Sequence, residues 1–243
     1  MSLTLRQPGL RLLHLPSVDS TNRVASEAAR RGDPAGLVVV ADVQTAGRGR
    51  QGRSWTAPPG CSLTVSYLRR PRVAPTDAWA WTLIAGLAAH AVADGAWLKW
   101  PNDLMIGERK AAGVLCELVT RGAQLDAVIV GIGLNLCAPP GGWPPEIADR
   151  AIDLQTLDPA LDRQAALDRL SAALLDLEDA LARRGTVPLL TAAEHAMAPM
   201  IGRQVRVDGR SARVLGIGHN GALRLHDGRA EFSVLAGDVH LGG

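Results

Sequence analysis

Three arginines lie within a glycine-rich segment, Gly47-Arg48-Gly49-Arg50-Gln51-Gly52-Arg53-Ser54-Trp55. Glycine lets backbone N–H groups approach an oxyanion, and guanidinium groups bind carboxylates and phosphates through paired donors. The glycine spacing also fits the G-x-G-x-x-G pattern of dinucleotide-binding proteins, but that pattern requires a helix to begin inside it. Residues 56–60 are Thr-Ala-Pro-Pro-Gly, which cannot begin that helix, so the segment predicts a loop that binds a small anion. A solvated basic loop is the alternative.

A second group of polar residues stands in Lys99-Trp100-Pro101-Asn102-Asp103. The Pro-Asn-Asp sequence predicts a turn after a short strand. A cation from Lys99, an amide from Asn102 and a carboxylate from Asp103 would then lie close together. Asparagine can bind an adenine edge, whereas aspartate can bind an amine, a hydroxyl or a metal-bound water. An ordinary turn without a function is the alternative.

Lys110 stands just ahead of the apolar run Ala112–Thr120, and Gly113 lies within that run. Packing of the run can direct the lysine towards a ligand, and glycine permits close approach. A lysine at a strand edge whose stem covers apolar surface is the alternative. In the next apolar run, Gly131 and Gly133 precede Asn135 and clear one sheet face of side chains. Either a flat ligand or a helix can pack there.

Ser20-Thr21-Asn22 precede alanines with helical spacing, and one of the three is expected to cap that helix. Three consecutive short polar side chains exceed what a cap requires. Their donors and acceptors suit a compact urea-like or amide-like group. Cys116 and Cys137 lie in apolar runs, where a cysteine is expected to be part of the core and not a nucleophile.

Short strands and helices must position these residues, and their mixture predicts an α+β fold. The expected strands are 11–15, 37–43, 63–68, 97–100, 112–120 and 127–136, and the expected helices are one after Ser20, Thr76–Asp94 and Ala160–Arg184. After Pro199, short alternating runs are separated by Asp208-Gly209, Asn220-Gly221 and Asp227-Gly228, which indicates a small β-barrel. We therefore expect one domain over residues 1–196 and a second over residues 197–243.

The composition excludes several classes of protein. The 243 residues carry a formal net charge of +2 and are 47% hydrophobic, which disfavours a disordered chain and a dedicated nucleic-acid or membrane-surface binder. No apolar run approaches the roughly 18–20 residues of a membrane helix, and the N-terminus lacks a signal-peptide pattern. Three cysteines without CxxC spacing favour a reducing cytoplasm over a disulfide framework or a zinc site.

Taken in order, five motifs resemble those of the biotin–protein ligases, a family that includes the biotin–[acetyl-CoA-carboxylase] ligases. They are STN at 20–22, QxAGRGRxGRxW at 44–55, KWPNDL at 99–104, RKxAGxLxE at 109–117 and GxGxN at 131–135. The resemblance spans about residues 10–240. It implies a catalytic domain built around a mixed sheet and related to class II aminoacyl-tRNA synthetases, followed by a small SH3-like domain.

The resemblance also implies a reaction in two steps. Biotin and ATP, with Mg²⁺, give biotinyl-5′-AMP and pyrophosphate, and a specific lysine of a biotin carboxyl carrier domain then takes the biotinyl group. The implied biotin-binding residues are Ser20, Thr21, Asn22, Gln44, Gly47, Arg48, Gly49, Arg50, Lys110 and Gly113. The implied ATP-binding or adenylate-binding residues are Arg48, Arg50, Trp55, Lys99, Asn102, Lys110 and Asn135. No metal-ligating residue is assigned.

Lys110, Arg50 and Asp103 are the implied catalytic residues. The resemblance implies that Lys110 neutralises the reacting carboxylate and α-phosphate, with Arg50 beside them. It further implies that Trp55 stacks on adenine, that Asn102 and Asn135 contact the adenine or ribose, and that Lys99 faces phosphate. Asp103 would orient or activate the acceptor lysine.

Some members of that family begin with a winged-helix DNA-binding domain. Here the STN motif begins at residue 20, so we expect a monofunctional ligase. We also expect a cytoplasmic monomer or weak homodimer with no nucleic-acid or membrane partner. One alternative is a lipoate–protein or octanoyl–protein ligase of the same fold, which is not expected to carry the arginine-rich and KWPND motifs. The other is an RNA-binding module, which lacks stacking aromatics because Tyr67 and Phe232 are the only Tyr and Phe.

Overall fold

A mixed sheet of seven strands is the centre of the fold in the computed structural model, which describes residues 3–242. Its strands are β1 Arg11–Val18, β2 Leu37–Gln44, β3 Ser62–Arg69, β4 Trp97–Lys99, β5 Asp103–Ile106, β6 Arg109–Arg121 and β7 Gln124–Asn135. Their order across the sheet is β1-β2-β3-β7-β6-β5-β4, and β1 pairs with β2 in parallel while the other pairs are antiparallel. The helices are α1 Thr21–Arg31, α2 Ala80–His90, α3 Arg163–Arg184 and α4 Val187–Ala196. The predicted mixture of helices and strands is confirmed.

Helices cover the two faces of this sheet unequally. One face is apolar and packs on α2, α3 and α4, with Tyr67 and Trp81 fully buried between them. The other face carries α1, whose Ala25 and Ala28 form a smaller apolar cluster with Val39 and Ile129. Beyond this cluster, at the beginning of α1, the same sheet face bears polar side chains and glycines. That end of the face is where a ligand site can form.

A second, antiparallel sheet follows the helices, in the part of the chain where the turn dipeptides predict a small β-barrel. Its strands are β8 Gln204–Val207, β9 Arg210–Ile217, β10 Leu223–His226, β11 Glu231–Val234 and β12 Val239–Leu241, in the order β11-β10-β9-β8-β12. The two sheets share one apolar core, in which Val205 and Leu223 join the cluster that contains Met200. The indole Nε1 of Trp100 donates a hydrogen bond to the Gly221 carbonyl at 3.0 Å, which fixes the second sheet against the first.

Tertiary contacts move several element boundaries away from those expected. The helix expected over Thr76–Asp94 is shorter, because Pro75–Asp77 forms a separate 3₁₀ turn before α2. The long amphipathic helix is confirmed, although it begins at Arg163, where the Asp162 side chain caps it by accepting from Ala165 N at 2.7 Å. Asp103 was expected in a turn but begins β5, because it pairs with Gly113 of β6. No helix within residues 3–242 is both long enough and apolar enough to cross a membrane.

One buried hydrogen bond joins the sheet to α3 and gives a test of the packing. Tyr67 Oη lies 2.8 Å from Ser171 Oγ, and both residues are fully buried. We expect Tyr67→Phe to lower the free energy of unfolding by about 1–2 kcal/mol, because the Ser171 hydroxyl loses its partner. Urea denaturation would measure this change. The double variant Tyr67→Phe/Ser171→Ala should recover part of the loss, and a single variant as stable as the parent would contradict the assignment.

Candidate active site

The polar end of the α1 face is formed by alternate residues of three neighbouring strands. In β6 the residues on this face are Gly113, Leu115 and Glu117, while Ala112 and Val114 point into the core on the opposite face. Gly131 and Gly133 of β7 and Ser66 of β3 complete the surface. Because successive strand residues point to opposite faces, these side chains share one side of the sheet. The glycines make that side shallow at its centre.

Ser20, Thr21 and Asn22 lie at the beginning of α1, and each is only 4–5% exposed. Ser20 occupies the N-cap position, yet its own side chain makes no capping hydrogen bond. The capping role that the sequence favours is therefore not used. Burial of polar side chains that do not cap a helix indicates that they face one another or a ligand.

A hydrogen-bond network connects this helix start to the sheet. Gln44 Oε1 accepts from Thr21 N at 2.8 Å and from Thr21 Oγ1 at 3.0 Å. Ser66 Oγ lies 2.8 Å from Thr21 Oγ1 and 2.6 Å from Asn22 Oδ1. A hydroxyl carries one proton, so Ser66 and Thr21 together supply two protons for three contacts. One of the three oxygen–oxygen contacts therefore lacks a proton, although every oxygen of the network can still have a hydrogen-bond partner, because Thr21 N also donates to Gln44.

Asn22 is held against the sheet at Gly131. Its Nδ2 donates to the Leu115 carbonyl at 3.2 Å and to Glu117 Oε2 at 2.7 Å. A Cβ at Gly131 would lie 2.1 Å from Asn22 Oδ1, a distance no atom pair tolerates, so glycine is required there. The glycines were expected to clear space for a flat ligand or a helix, and at Gly131 the space is filled by a side chain of α1.

The indole of Trp55 fills the neighbouring space. A Cβ at Gly133 would lie 2.4 Å from the Trp55 ring atom Cε2, and Lys110 Nζ is 5.6 Å from the ring centroid. The indole Nε1 is buried without a hydrogen-bond partner. A flat aromatic group therefore lies on the glycines, but it belongs to the arginine-rich loop and carries an unused donor.

A β-bulge aims Lys110 into the site. Leu104 of β5 pairs with Ala112 and Met105 pairs with Lys110, so Ala111 is an extra residue in β6. Without this bulge, Lys110 and Gly113 would point to opposite faces, because they are three positions apart in the strand. With it, the Lys110 side chain extends across Gly113, where a Cβ would lie 3.0 Å from Lys110 Nζ.

Two lysines share one carboxylate beside the loop. Lys110 Nζ is 2.6 Å from Asp103 Oδ1, and Lys99 Nζ is 3.9 Å from Asp103 Oδ2. Burial lowers the pKa of Lys99 from its usual value, and the negative charge of Asp103 opposes that shift. With both lysines protonated, the three side chains carry one excess positive charge, which an anionic ligand would balance.

Each arginine of the loop is held by a residue from a different part of the chain. Arg48 lies 3.4 Å from Glu117 of β6, and Arg50 Nη1 donates to Asn102 Oδ1 at 3.2 Å. Arg53 forms an ion pair with Asp238, which lies directly before β12, and its hydrogen bond lowers the pKa of that carboxyl. The loop closes on itself through Trp55 N, which donates to the Gly47 carbonyl at 2.9 Å. The loop that the sequence predicts to bind an anion therefore lies beside the lysines, with the Trp55 ring centroid 5.6 Å from Lys110 Nζ.

The structure brings all the candidate residues to this end of the sheet, but it gives Asn135 a supporting position. Asn135 is 4% exposed, and its Nδ2 donates to the carbonyls of Lys110 and Ile152. It thereby supports the strand that carries Lys110, and its contact with an adenine or ribose stays a prediction. Sequence reasoning assigned no role to Ser66, Glu117 or Asp238. Glu117 ends the RKxAGxLxE motif, which was a usable signal, whereas nothing in the sequence links Asp238 to the loop.

The cysteines are not arranged as nucleophiles. Burial raises the pKa of the Cys116 thiol to about 12 and that of Cys137 to about 11. Only the thiolate is a strong nucleophile, so neither thiol is suited to nucleophilic attack. Cys116 packs against the main core as expected, whereas Cys137 is only half-buried and lies outside both apolar clusters. Within residues 3–242 no three His, Cys, Asp or Glu side chains are grouped as metal ligands.

Comparison with known proteins gives a consistent picture. The profile of the biotin/lipoate A/B protein ligase family matches residues 14–135. The bifunctional ligase/repressor BirA of Bacillus subtilis is 30% identical over 96% of this chain and 75% of its own length. The biotin–[acetyl-CoA-carboxylase] ligase of Mycobacterium tuberculosis is 36% identical over 90% of this chain and 85% of its own. A biotin protein ligase from Aquifex aeolicus, solved with biotin and ATP, superposes with a TM-score of 0.79 and 28% identity over 96% of this chain and 98% of that one.

Proposed function

Since this chain belongs to the biotin/lipoate A/B protein ligase family, we propose that it is an ATP-dependent biotin–protein ligase. In the first step a carboxylate oxygen of biotin attacks the α-phosphorus of MgATP, and pyrophosphate leaves. In the second step the uncharged ε-amine of a carrier lysine attacks the carbonyl carbon of biotinyl-5′-AMP. AMP then leaves, and the amine gives up a proton as the amide forms.

The observation that carries this proposal is the placement of a neutral polar network and a cationic cluster on one sheet face. Thr21, Asn22 and Ser66 form the network, while Lys110 lies across Gly113, 5.6 Å from the centroid of the Trp55 ring. Biotin has a neutral urea ring at one end and a carboxylate at the other. The hydroxyl and amide oxygens of the network can accept hydrogen bonds from the ureido N–H groups, and Ser20 and Gln44 complete this end of the site.

The cationic end supports a role in adenylate formation. Attack of a carboxylate on a phosphate brings two anions together, so the barrier is largely electrostatic. Lys110 neutralises the carboxylate and the α-phosphate, Arg50 lies beside them, and Lys99 faces the phosphates. Because these cations are fixed before substrate arrives, they lower the barrier without reorganisation during the reaction.

The remaining roles concern the nucleotide and the acceptor. Arg48 and Gly49 fold over the adenylate, with Gly47 allowing the loop to close against the Trp55 backbone. Trp55 stacks on adenine, and Asn102 and Asn135 contact the adenine or ribose. Closure of such a loop shields a reactive mixed anhydride from water. Asp103, already 2.6 Å from the Lys110 amine, is placed to orient a second amine from the carrier.

The proposal extends to the organisation of the chain. Residues 1–196 form the catalytic domain, related to class II aminoacyl-tRNA synthetases, and residues 197–243 form an SH3-like barrel. The five antiparallel strands β8–β12 support this division. Mg²⁺ enters as MgATP, and the protein partner is a biotin carboxyl carrier domain. The ligase acts as a monomer or weak homodimer.

Pyrophosphate release distinguishes a biotin–protein ligase from the alternative functions. Protein mixed with MgATP should release pyrophosphate when biotin is added, and far less with lipoate or octanoate. A preference for lipoate or octanoate would identify the other branch of the family. Thermal stabilisation by RNA, without stabilisation by biotin and ATP, would favour the RNA-binding alternative and reject the proposal.

Arg50→Ala tests the role of the loop. We expect the adenylate to dissociate about 10 to 100 times faster, because a charge-assisted hydrogen bond is lost. Biotinyl-5′-AMP that co-elutes with the protein on gel filtration, followed over time by mass spectrometry, measures this rate. Arg72→Ala is the matched control, because Arg72 is exposed and outside the site. Unchanged retention in Arg50→Ala would count against the loop assignment.

A further inference from the structure

The Glu117 carboxylate contacts two parts of the site, one proposed to bind biotin and the other proposed to cover the adenylate. Its Oε2 accepts from Asn22 Nδ2 at 2.7 Å. Its two oxygens also face the Arg48 guanidinium, with Nη1 3.4 Å from Oε1 and Nη2 3.4 Å from Oε2. The two contacts run in parallel, as in a bidentate guanidinium–carboxylate pair, but at 3.4 Å they are longer than the tightest such pairs. One carboxylate therefore joins the ring-binding end of the site to the loop that covers the adenylate.

We infer that Glu117 is a positioning residue that couples biotin binding to closure of the arginine loop, an inference that rests on the function proposed above. Glu117 orients the Asn22 amide, because a carboxylate only accepts hydrogen bonds and must face the NH₂ end. Asn22 Oδ1 is thereby directed towards Ser66, at 2.6 Å, and not towards Glu117.

The backbone of Glu117 makes it a suitable anchor for both contacts. It lies inside β6, where it pairs with Ile129 of β7. Asn22 lies on a helix and Arg48 on a loop, so the strand is the fixed reference for both. A biotin molecule that holds Asn22 in place also holds the Glu117 carboxylate in position for Arg48. By linkage, a loop anchored through Arg48 raises the affinity for biotin by the same factor.

Two substitutions at this position separate its two contacts. Glu117→Gln keeps an oxygen that accepts from Asn22 but turns an NH₂ group towards Arg48. Glu117→Ala removes both contacts. We expect Glu117→Ala to raise the biotin Kd about tenfold, because both contacts are lost, whereas Glu117→Gln should raise it only by the factor that coupling to the loop contributes, about threefold. The kcat with saturating biotin should change less than the biotin KM in both variants.

Loop closure is measured by trypsin, which cleaves after Arg48, Arg50 and Arg53. Biotin should slow cleavage of the parent protein at these sites. In both Glu117 variants it should slow cleavage much less, even in Glu117→Gln, which still binds biotin. The matched control is Glu27→Gln, because Glu27 is an exposed carboxylate of α1 that pairs with Arg23.

The possible outcomes distinguish this inference from the proposed function. Biotin affinity and loop protection equal to those of the parent in both variants would overturn the inference. Loss of biotin binding in Glu117→Gln with full loop protection in Glu117→Ala would also overturn it. If Glu117→Ala does not fold, the isosteric variant Glu117→Gln tests the inference alone, through the protection that biotin gives its loop against trypsin. A parent protein that releases no pyrophosphate with biotin would instead reject the proposed function.

Discussion

Replacing Lys110 by alanine should lower the rate of biotinyl-5′-AMP formation by about a thousandfold, the upper range for removing a positioned electrostatic group from an active site. The lysine is the one cation that the β-bulge at Ala111 directs across Gly113, where two anions must meet. Without it the carboxylate and α-phosphate repel each other with less compensation. Single-turnover release of pyrophosphate would measure this rate.

The control variant for this prediction replaces Arg109, the residue that precedes Lys110 in the sequence. Arg109→Ala removes the same charge from the same strand, but Arg109 is exposed and lies outside the site, so the rate should stay near that of the parent. The biotin Kd of Lys110→Ala should rise far less than the rate falls, because the urea-binding network does not include Lys110. A rate within a few-fold of the parent would contradict the assignment of Lys110.

Gly131→Ala should weaken biotin binding about a hundredfold, although it adds only a methyl group. The new Cβ would lie 2.1 Å from Asn22 Oδ1 and would force the amide from its place. Asn22 would then lose its hydrogen bonds to Ser66, Leu115 and Glu117, and two or three such bonds at about 1 kcal/mol each correspond to this factor. Titration calorimetry with biotin would measure the change.

Gly86→Ala is the control for this substitution. Gly86 lies inside α2 on the opposite face of the sheet, where a Cβ would meet only Leu98 methyl groups at 3.5 Å. It should bind biotin like the parent and should be slightly more stable, since alanine favours a helix interior. Biotin binding by Gly131→Ala that matches that of Gly86→Ala would show that Asn22 has no part in the site.

The sequence was most informative where local chemistry decides structure. The arginine-rich loop and the turn dipeptides after Pro199 are specified by glycine and proline, and the long helix α3 by its leucine spacing. The bulge at Ala111 could not be predicted, because it arises from pairing between β5 and β6. The same pairing makes Asp103 the first residue of β5 instead of a turn residue. The face on which Lys110 lies depends on that single extra residue.

Contacts between distant parts of the chain were also beyond sequence reasoning. Arg48 and Glu117 are separated by 69 positions, and Arg53 and Asp238 by 185. Tryptophans that had no assigned role prove to be packing residues: Trp81 is fully buried in the main core, and Trp79 lies against Gly221 of the second sheet. Such partners are set by the fold as a whole, so the motifs identified the chemistry but not the neighbours that orient it.

Transfer of biotin to a protein lysine through an adenylate is the activity proposed for this chain. The intact mass of a biotin carboxyl carrier domain, measured after incubation with the chain, biotin and MgATP, tests it. The carrier should gain the mass of one biotinyl group on one lysine, and the gain should disappear when biotin or ATP is omitted. A set of carrier domains that gains no such mass, from a folded protein with both substrates present, would contradict the proposed activity.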